Sequence, residues 1–303
     1  MKILKISILI LLTLPALPIS GSDNSGDKVT TVHTLTANET IKDSVSGYAL
    51  VNGLKMYYEI YGTGRPLVLI HGGGSTIQTT FGRVIHPFSK SYKVIAVELQ
   101  AHGRTADRDR PLSFEQDADD VAALLKYLNI DKADIFGFSN GASTTLQLAC
   151  RHPEQINKII VASTFYKKEG AHSWFWDIMG KATFDGMPLT LKDAFLKVNP
   201  DTNALRIMCA RDITRMQSFT NIPEKLLKKI KSPAFIIIGD ADVVRPEHAV
   251  EMYRLLPTAK LAILPGGHGE YIGEITTPPD STLIAATVSM INKFLNDPVK
   301  YGN

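Results

Sequence analysis

From Gly47 to the C-terminus, short apolar runs alternate with longer stretches that are apolar on one side only. Tyr48–Val51, Asn52-Gly53 and Leu54–Tyr61 read as two strands joined by an Asn-Gly hairpin turn. After a turn at Gly62–Pro66, Leu67–Ile70 is a continuous apolar run, as in a strand buried on both faces of a parallel sheet. The alternation then continues with a helix over Ile77–Ser89, a strand at Tyr92–Val97, a helix over Phe114–Leu128 and a strand at Ala133–Phe136. Next come a helix at Ala142–Arg151 and a strand at Ile156–Ala162. The pattern stops between Phe165 and Lys231. That segment is rich in aromatic residues and Met, with helical patches at Leu191–Val198 and Pro223–Lys231 and no clear strand. It resumes with a strand at Ala234–Ile238, a helix at Pro246–Leu255, a strand at Lys260–Leu264 and a closing helix at Ser281–Leu295. Strands alternating with helices predict an α/β fold, a doubly wound sheet with its active site at the carboxyl ends of the strands.

The chain therefore divides into core at 45–164 and 232–303, with 165–231 as an inserted helical cap. The start is different. Lys2 and Lys5 precede the apolar run Ile6–Leu17, and Pro18, Ser20, Gly21 and Ser22 follow, the order of a secretory signal peptide over 1–22. Residues 23–44, rich in Ser, Thr, Asp and Asn, read as a flexible linker. The apolar run is too short to span a bilayer comfortably, so no stable membrane insertion is expected after cleavage. A secreted or periplasmic protein follows. In that oxidising setting Cys150 and Cys209 could pair, but Cys150 sits on the apolar face of a helix far from Cys209, and two buried free thiols are expected.

Composition adds little. A hydrophobic share of 44% and a charged share of 21% suit a soluble globular protein, and a net charge of +3 argues for no nucleic-acid partner. No His-x-x-x-His or Cys-x-x-Cys spacing suggests a metal, and no glycine-rich loop has the pattern of a dinucleotide or phosphate site, so no cofactor is expected.

The chemistry concentrates at Gly137-Phe138-Ser139-Asn140-Gly141, which stands between a predicted strand and a predicted helix. G-x-S-x-G in that context is a nucleophile elbow: a tight turn that lifts a serine hydroxyl above the sheet edge. A serine needs a base to take its proton, and the base needs an orienting carboxylate. His268, in the Gly-rich loop after the last strand, is the expected base. Asp242 is the expected carboxylate; Asp240 is its rival, but it stands in the immediate strand-exit turn, where an Asp more often caps the turn. His71-Gly72-Gly73-Gly74 directly follows the Leu67–Ile70 strand and suits an oxyanion hole. The backbone N–H groups of Gly73 and Asn140 are the expected donors, with Gly72 or Gly74 as substitutes for the first. Gly72, Trp174, Trp176, Met179 and Met216 are expected to line the substrate pocket.

In these motifs, and in the order Ser139, Asp242, His268, the chain from about Tyr48 to Leu295 resembles the α/β-hydrolase superfamily in its capped, single-domain form. The resemblance implies a mostly parallel eight-stranded sheet flanked by helices. It also implies a small-molecule acyl substrate: esterases, lipases, thioesterases, aminopeptidases and C–C bond hydrolases share the scaffold. Epoxide hydrolases and haloalkane dehalogenases, with a carboxylate nucleophile, are less similar. The superfamily's Asp-x-x-Gly-x-Gly-x-Ser-like segment is here Glu98-Leu99-Gln100-Ala101-His102-Gly103-Arg104-Thr105, and a structural role is expected for that loop. A carboxylic ester is the expected substrate. An aminopeptidase or amidase would need carboxylates near the substrate amine, for which the cap offers Glu169, Asp177 and Asp185. A non-catalytic sensor is the competing class, but it has no physical need of Ser, His and Asp together.

Overall fold

The computed structural model describes residues 44–298. The signal peptide expected at 1–22 and the linker after it lie outside the described residues, except that Ser44 already belongs to the first strand. Eight strands form one sheet: β1 Ser44–Val51, β2 Leu54–Tyr61, β3 Arg65–Ile70, β4 Tyr92–Val97, β5 Ala133–Phe138, β6 Ile156–Ala162, β7 Ala234–Gly239 and β8 Ala259–Leu264. Their order is β1-β2-β4-β3-β5-β6-β7-β8. β1 runs antiparallel to β2 and β2 to β4; the other neighbours are parallel. The Asn52-Gly53 turn joins β1 to β2, with both residues at positive φ, as the predicted hairpin requires.

Among the described residues, ten α-helices complete the fold. Before the inserted segment come α1 Ile77–Phe81, α2 Ile85–Ser89, α3 Phe114–Tyr127 and α4 Asn140–Arg151. Between β6 and β7 lie α5 Ser173–Gly180, α6 Leu189–Val198, α7 Thr202–Gln217 and α8 Glu224–Leu227; α9 Pro246–Leu255 and α10 Ser281–Asn296 follow. Leu67, Leu69, Phe136 and Ile237 face α1, α2 and α10, whereas Val68, Ile70, Ile135 and Ile236 face α3, α4 and α9. Each central strand is thus apolar on both faces, which is why those runs show no polar alternation.

Three elements differ from the sequence reading. The single helix expected over Ile77–Ser89 is two, because Pro87 has no N–H for the Arg83 carbonyl and its ring would clash there. Arg65 and Pro66, expected in a turn, open β3 opposite Tyr92 and Lys93. The longest helix of the inserted segment, α7, had no counterpart in the reading. Its buried side holds Asp212 and Arg215 beside Leu205, Met208 and Met216, so an apolar stripe is not visible. Leu205, Met208 and Phe195 of this segment close over Ala101 of the core.

No helix of the described residues is long and apolar enough to cross a membrane. Both cysteines are free; Cys209 is buried and Cys150 half-buried.

The strand order reverses between β3 and β5. The chain leaves β3 for α1 on one face and β5 for α4 on the other, which opens a crevice at their carboxyl ends. Far from it, the buried Lys158 of β6 donates to the carbonyls of Phe294, Leu295 and Asp297 at 2.8, 2.8 and 2.6 Å, closing the C-terminus of α10 with a cation where the helix dipole is negative. We expect Lys158→Met to lower the unfolding free energy by about 1–3 kcal/mol, read by urea denaturation. An unchanged midpoint would mean these carbonyls are satisfied equally well without the ammonium.

Candidate active site

Strand β5 ends at Phe138 and α4 begins at Asn140, so Ser139 alone carries the reversal. Its φ of 53° and ψ of −119° lie where side chains are rarely tolerated, a strain of roughly 1–3 kcal/mol. The flanking glycines are needed for space. A Cβ on Gly137 would stand 2.1 Å from the Gly141 carbonyl oxygen, and one on Gly141 2.0 Å from that of Ile70. Ser139 N–H donates to the Ala162 carbonyl at 2.8 Å, which ties the bend to β6.

The hydroxyl raised by this bend meets the loop after β8. His268 Nε2 is 3.0 Å from Ser139 Oγ, and His268 Nδ1 is 2.7 Å from Asp242 Oδ1. With Nδ1–H donated to the carboxylate, Nε2 is left to accept the serine proton. Phe138 packs against the imidazole with ring centroids 4.8 Å apart. Burial disfavours the charged imidazolium, but the Asp242 carboxylate outweighs it, and the His268 pKa rises above its ordinary value. Burial likewise opposes ionisation of Asp242. His268, the Ser163 hydroxyl and the Val244 N–H reverse that, and its pKa is lowered. Asp240, the rival carboxylate, is exposed and accepts from Gly266 N–H at 2.9 Å, a turn-closing bond away from the histidine.

The loop after β3 supplies donors. Gly72 N–H is spent on Thr80 Oγ1 at 3.3 Å, and Gly74 N–H is spent on Asp212. Gly73 N–H donates to no protein group among the described residues, nor does Asn140 N–H at the start of α4. Of the three glycines, Gly73 is the one whose N–H is free to meet an oxyanion.

A cavity of about 640 Å³ opens over Ser139, His268, Gly73 and Asn140. Its walls are mostly apolar, with Phe165, Phe175, Leu191, Ile213 and Val243 beside Met179 and Met216, the two methionines expected there. The other pocket expectations are corrected. Trp174 points outward, 46% exposed, and stacks on His172. Trp176 packs among Phe165, Phe175 and Phe219 while its indole N–H donates to the Lys168 carbonyl, a polar tie that holds the ring outside the cavity. Gly72 faces Phe138 rather than the cavity. Of the acidic residues considered for an amine substrate, Asp177 stands exposed at the cavity mouth, and Glu169 and Asp185 lie outside the lining.

The reading missed Asp212. It comes from α7 yet accepts hydrogen bonds from Gly74 N–H, from His102 Nε2 at 2.8 Å and from Arg215, whose other nitrogen is 2.8 Å from Asp117. Burial would raise the Asp212 pKa, but Arg215 and His102 hold it well below the ordinary carboxylate range. The loop Glu98–Thr105 thus carries His102 to the back of the oxyanion loop. His71, whose pKa burial lowers to about 3, packs against it as a neutral ring. The one signal in sequence was an Asp and an Arg spaced i, i+3 among apolar residues.

A family model described as the alpha/beta hydrolase fold matches residues 65–195. The chain is an α/β-hydrolase-fold protein. It is 27% identical to the human serine hydrolase BPHL over 241 residues, 73% of this chain and 79% of that one. Among solved structures it is similar to a serine hydrolase involved in carbazole degradation, with a TM-score of 0.68, 22% identity and coverage of 84% of this chain and 99% of that one. An enol-lactonase from Burkholderia xenovorans gives a TM-score of 0.64 at 21% identity, covering 82% and 100%. The sheet, the elbow and the crevice described above are those of this fold.

Removing the Asp212 carboxylate leaves Arg215 and His102 facing each other without it. We expect Asp212→Ala to cost about 3 kcal/mol in thermal or chemical denaturation, well beyond what Asp177→Ala costs at the mouth. Equal effects would show that the buried cluster carries no special weight.

Proposed function

We propose that the protein is an exported serine hydrolase that cleaves small carboxylic esters or related acyl substrates through an acyl-enzyme on Ser139. The observation that carries this is the unbroken line of hydrogen bonds from Ser139 to His268 to Asp242. In this mechanism the Ser139 hydroxyl attacks the acyl carbon as His268 Nε2 takes its proton. The negative charge that develops on the carbonyl oxygen falls between the N–H groups of Gly73 and Asn140, donors already aimed, each worth roughly 10²–10³ in rate. His268 returns the proton to the leaving group, and water repeats the sequence on the acyl-enzyme. Asp242 keeps the imidazole in the required tautomer throughout.

The apolar cavity supports an apolar acyl or aromatic group. Lactones are cyclic esters and fall within the same chemistry, in keeping with the enol-lactonase among the similar structures. Export is part of the proposal and rests on Lys2, Lys5 and the apolar run Ile6–Leu17.

Ser139→Ala should reduce hydrolysis of short p-nitrophenyl esters by about 10⁴-fold or more while thermal stability is retained. Hydrolysis at the original rate would remove Ser139 from the mechanism. For pH, the base must be neutral to accept a proton. Activity should therefore fall as pH drops through the His268 pKa, with the acid limb of kcat/KM centred above the ordinary histidine value of 6.5. Asp242→Asn should move that midpoint downward, because the charge that stabilises the imidazolium is gone. An unmoved midpoint would assign the limb to another group.

A further inference from the structure

Below its rim the cavity holds few polar side chains, and most are already committed. Ser143 and Thr164 bond each other at 2.7 Å, Ser163 bonds Asp242 and Tyr271, Ser139 bonds His268, and Asp212 is held by Gly74, His102 and Arg215. Asn140 differs. It is only 8% exposed and lines the cavity, yet neither end of its carboxamide bonds to a protein group among the described residues. Its amide atoms are not sealed in protein but open onto the cavity. An amide with no protein partner that faces a ligand cavity has its donors and acceptor available to what binds there.

Its position says where that ligand group lies. A Cβ built on Gly73 would stand 2.3 Å from Asn140 Nδ2 and 3.2 Å from Asp212 Oδ2. The carboxamide therefore rests against the very glycine whose N–H is free for the oxyanion, and Gly73 leaves room for it by having no side chain. The backbone N–H of Asn140 faces the same oxygen, so its side chain reaches only the atoms nearest the scissile carbonyl. The leaving group must face His268, which protonates it, whereas the carboxamide lies on the side of Gly73 and Asp212. With the leaving group held toward His268, the acyl part is the substituent left to meet it. A carboxamide both donates and accepts, and a hydroxyl can answer it in either orientation.

We propose that the Asn140 carboxamide is a specificity-determining group that hydrogen-bonds a hydroxyl on the carbon next to the scissile carbonyl, making 2-hydroxyacyl esters the preferred substrate class. The proposal rests on Ser139 being the nucleophile. It predicts discrimination close to the reacting carbon, with the rest of the acyl chain read only by the apolar wall.

The test compares phenyl 2-hydroxyhexanoate with phenyl hexanoate on the full-length protein. The wild type should favour the hydroxy ester by about tenfold or more in kcat/KM, and Asn140→Leu, which keeps the branched outline of the side chain, should bring the ratio close to one. Because both esters are measured on the same preparation, a partly misfolded variant does not alter the ratio. A wild-type ratio near one, or a ratio that survives Asn140→Leu, overturns the proposal while leaving Ser139-dependent hydrolysis standing. Hydrolysis of neither ester by the wild type would overturn this proposal, and failure of simple p-nitrophenyl esters as well would overturn the hydrolase reading beneath it.

Discussion

Everything in the site depends on backbone passing very close to backbone where β5 turns into α4. Gly137 and Gly141 touch the carbonyls of Gly141 and Ile70 with no space for a methyl group. Ser139 is left to complete the reversal at a φ of 53°. Such a bend persists only because its surroundings over-determine it: β6 accepts the Ser139 N–H, and α4 packs its apolar face on the sheet. The result is a hydroxyl held out from the sheet edge, with an unpaired helix N–H directly behind it.

The sheet topology then decides what that hydroxyl meets. The reversal of strand order between β3 and β5 places the loop His71–Gly74 beside the elbow, and the carboxyl ends of β7 and β8 bring Asp242 and His268 to the same rim. The inserted helices finish the site from above. α7 sends Asp212 down to bind Gly74 N–H, and with it the side chains of His102, Arg215 and Asp117 are drawn into one buried cluster. Because Asp212 occupies Gly74 and Thr80 occupies Gly72, the loop presents Gly73 alone. The inserted segment and the oxyanion loop are therefore joined by a charged contact as well as by packing. Movement of α7 would be felt at the donor that faces the reacting oxygen.

Several parts of this arrangement are local enough to be visible in a linear chain. Parallel strands covered on both faces must be continuously apolar, and hence β3, β5, β6 and β7 stand out. An elbow needs small residues on either side of its nucleophile, and Gly137 and Gly141 announce it. The roles of Asp242 and Asp240 could be ordered because an Asp at the strand exit closes the turn, as Asp240 does with Gly266. The order of serine, acid and histidine along the chain was equally open to inspection.

Other features arise from distances between residues far apart in sequence, and no periodicity reports them. Asp212 is 138 positions from Gly74, and its burial is tolerable only because Arg215 and His102 reach it in the folded state. Its charge broke the apolar stripe by which α7 would have been recognised. Trp174 and Trp176 looked like pocket residues from composition, yet helix orientation turned one outward onto His172 and tied the other to Lys168. From its own residues the chain determined the strands, the bend and the identity of the groups around Ser139, because sterics and burial act on neighbours. Which N–H of the glycine loop stays free, which side chains wall the cavity and which amide faces that cavity uncommitted were decided only by tertiary packing, which alone sets the separations over which hydrogen bonds form.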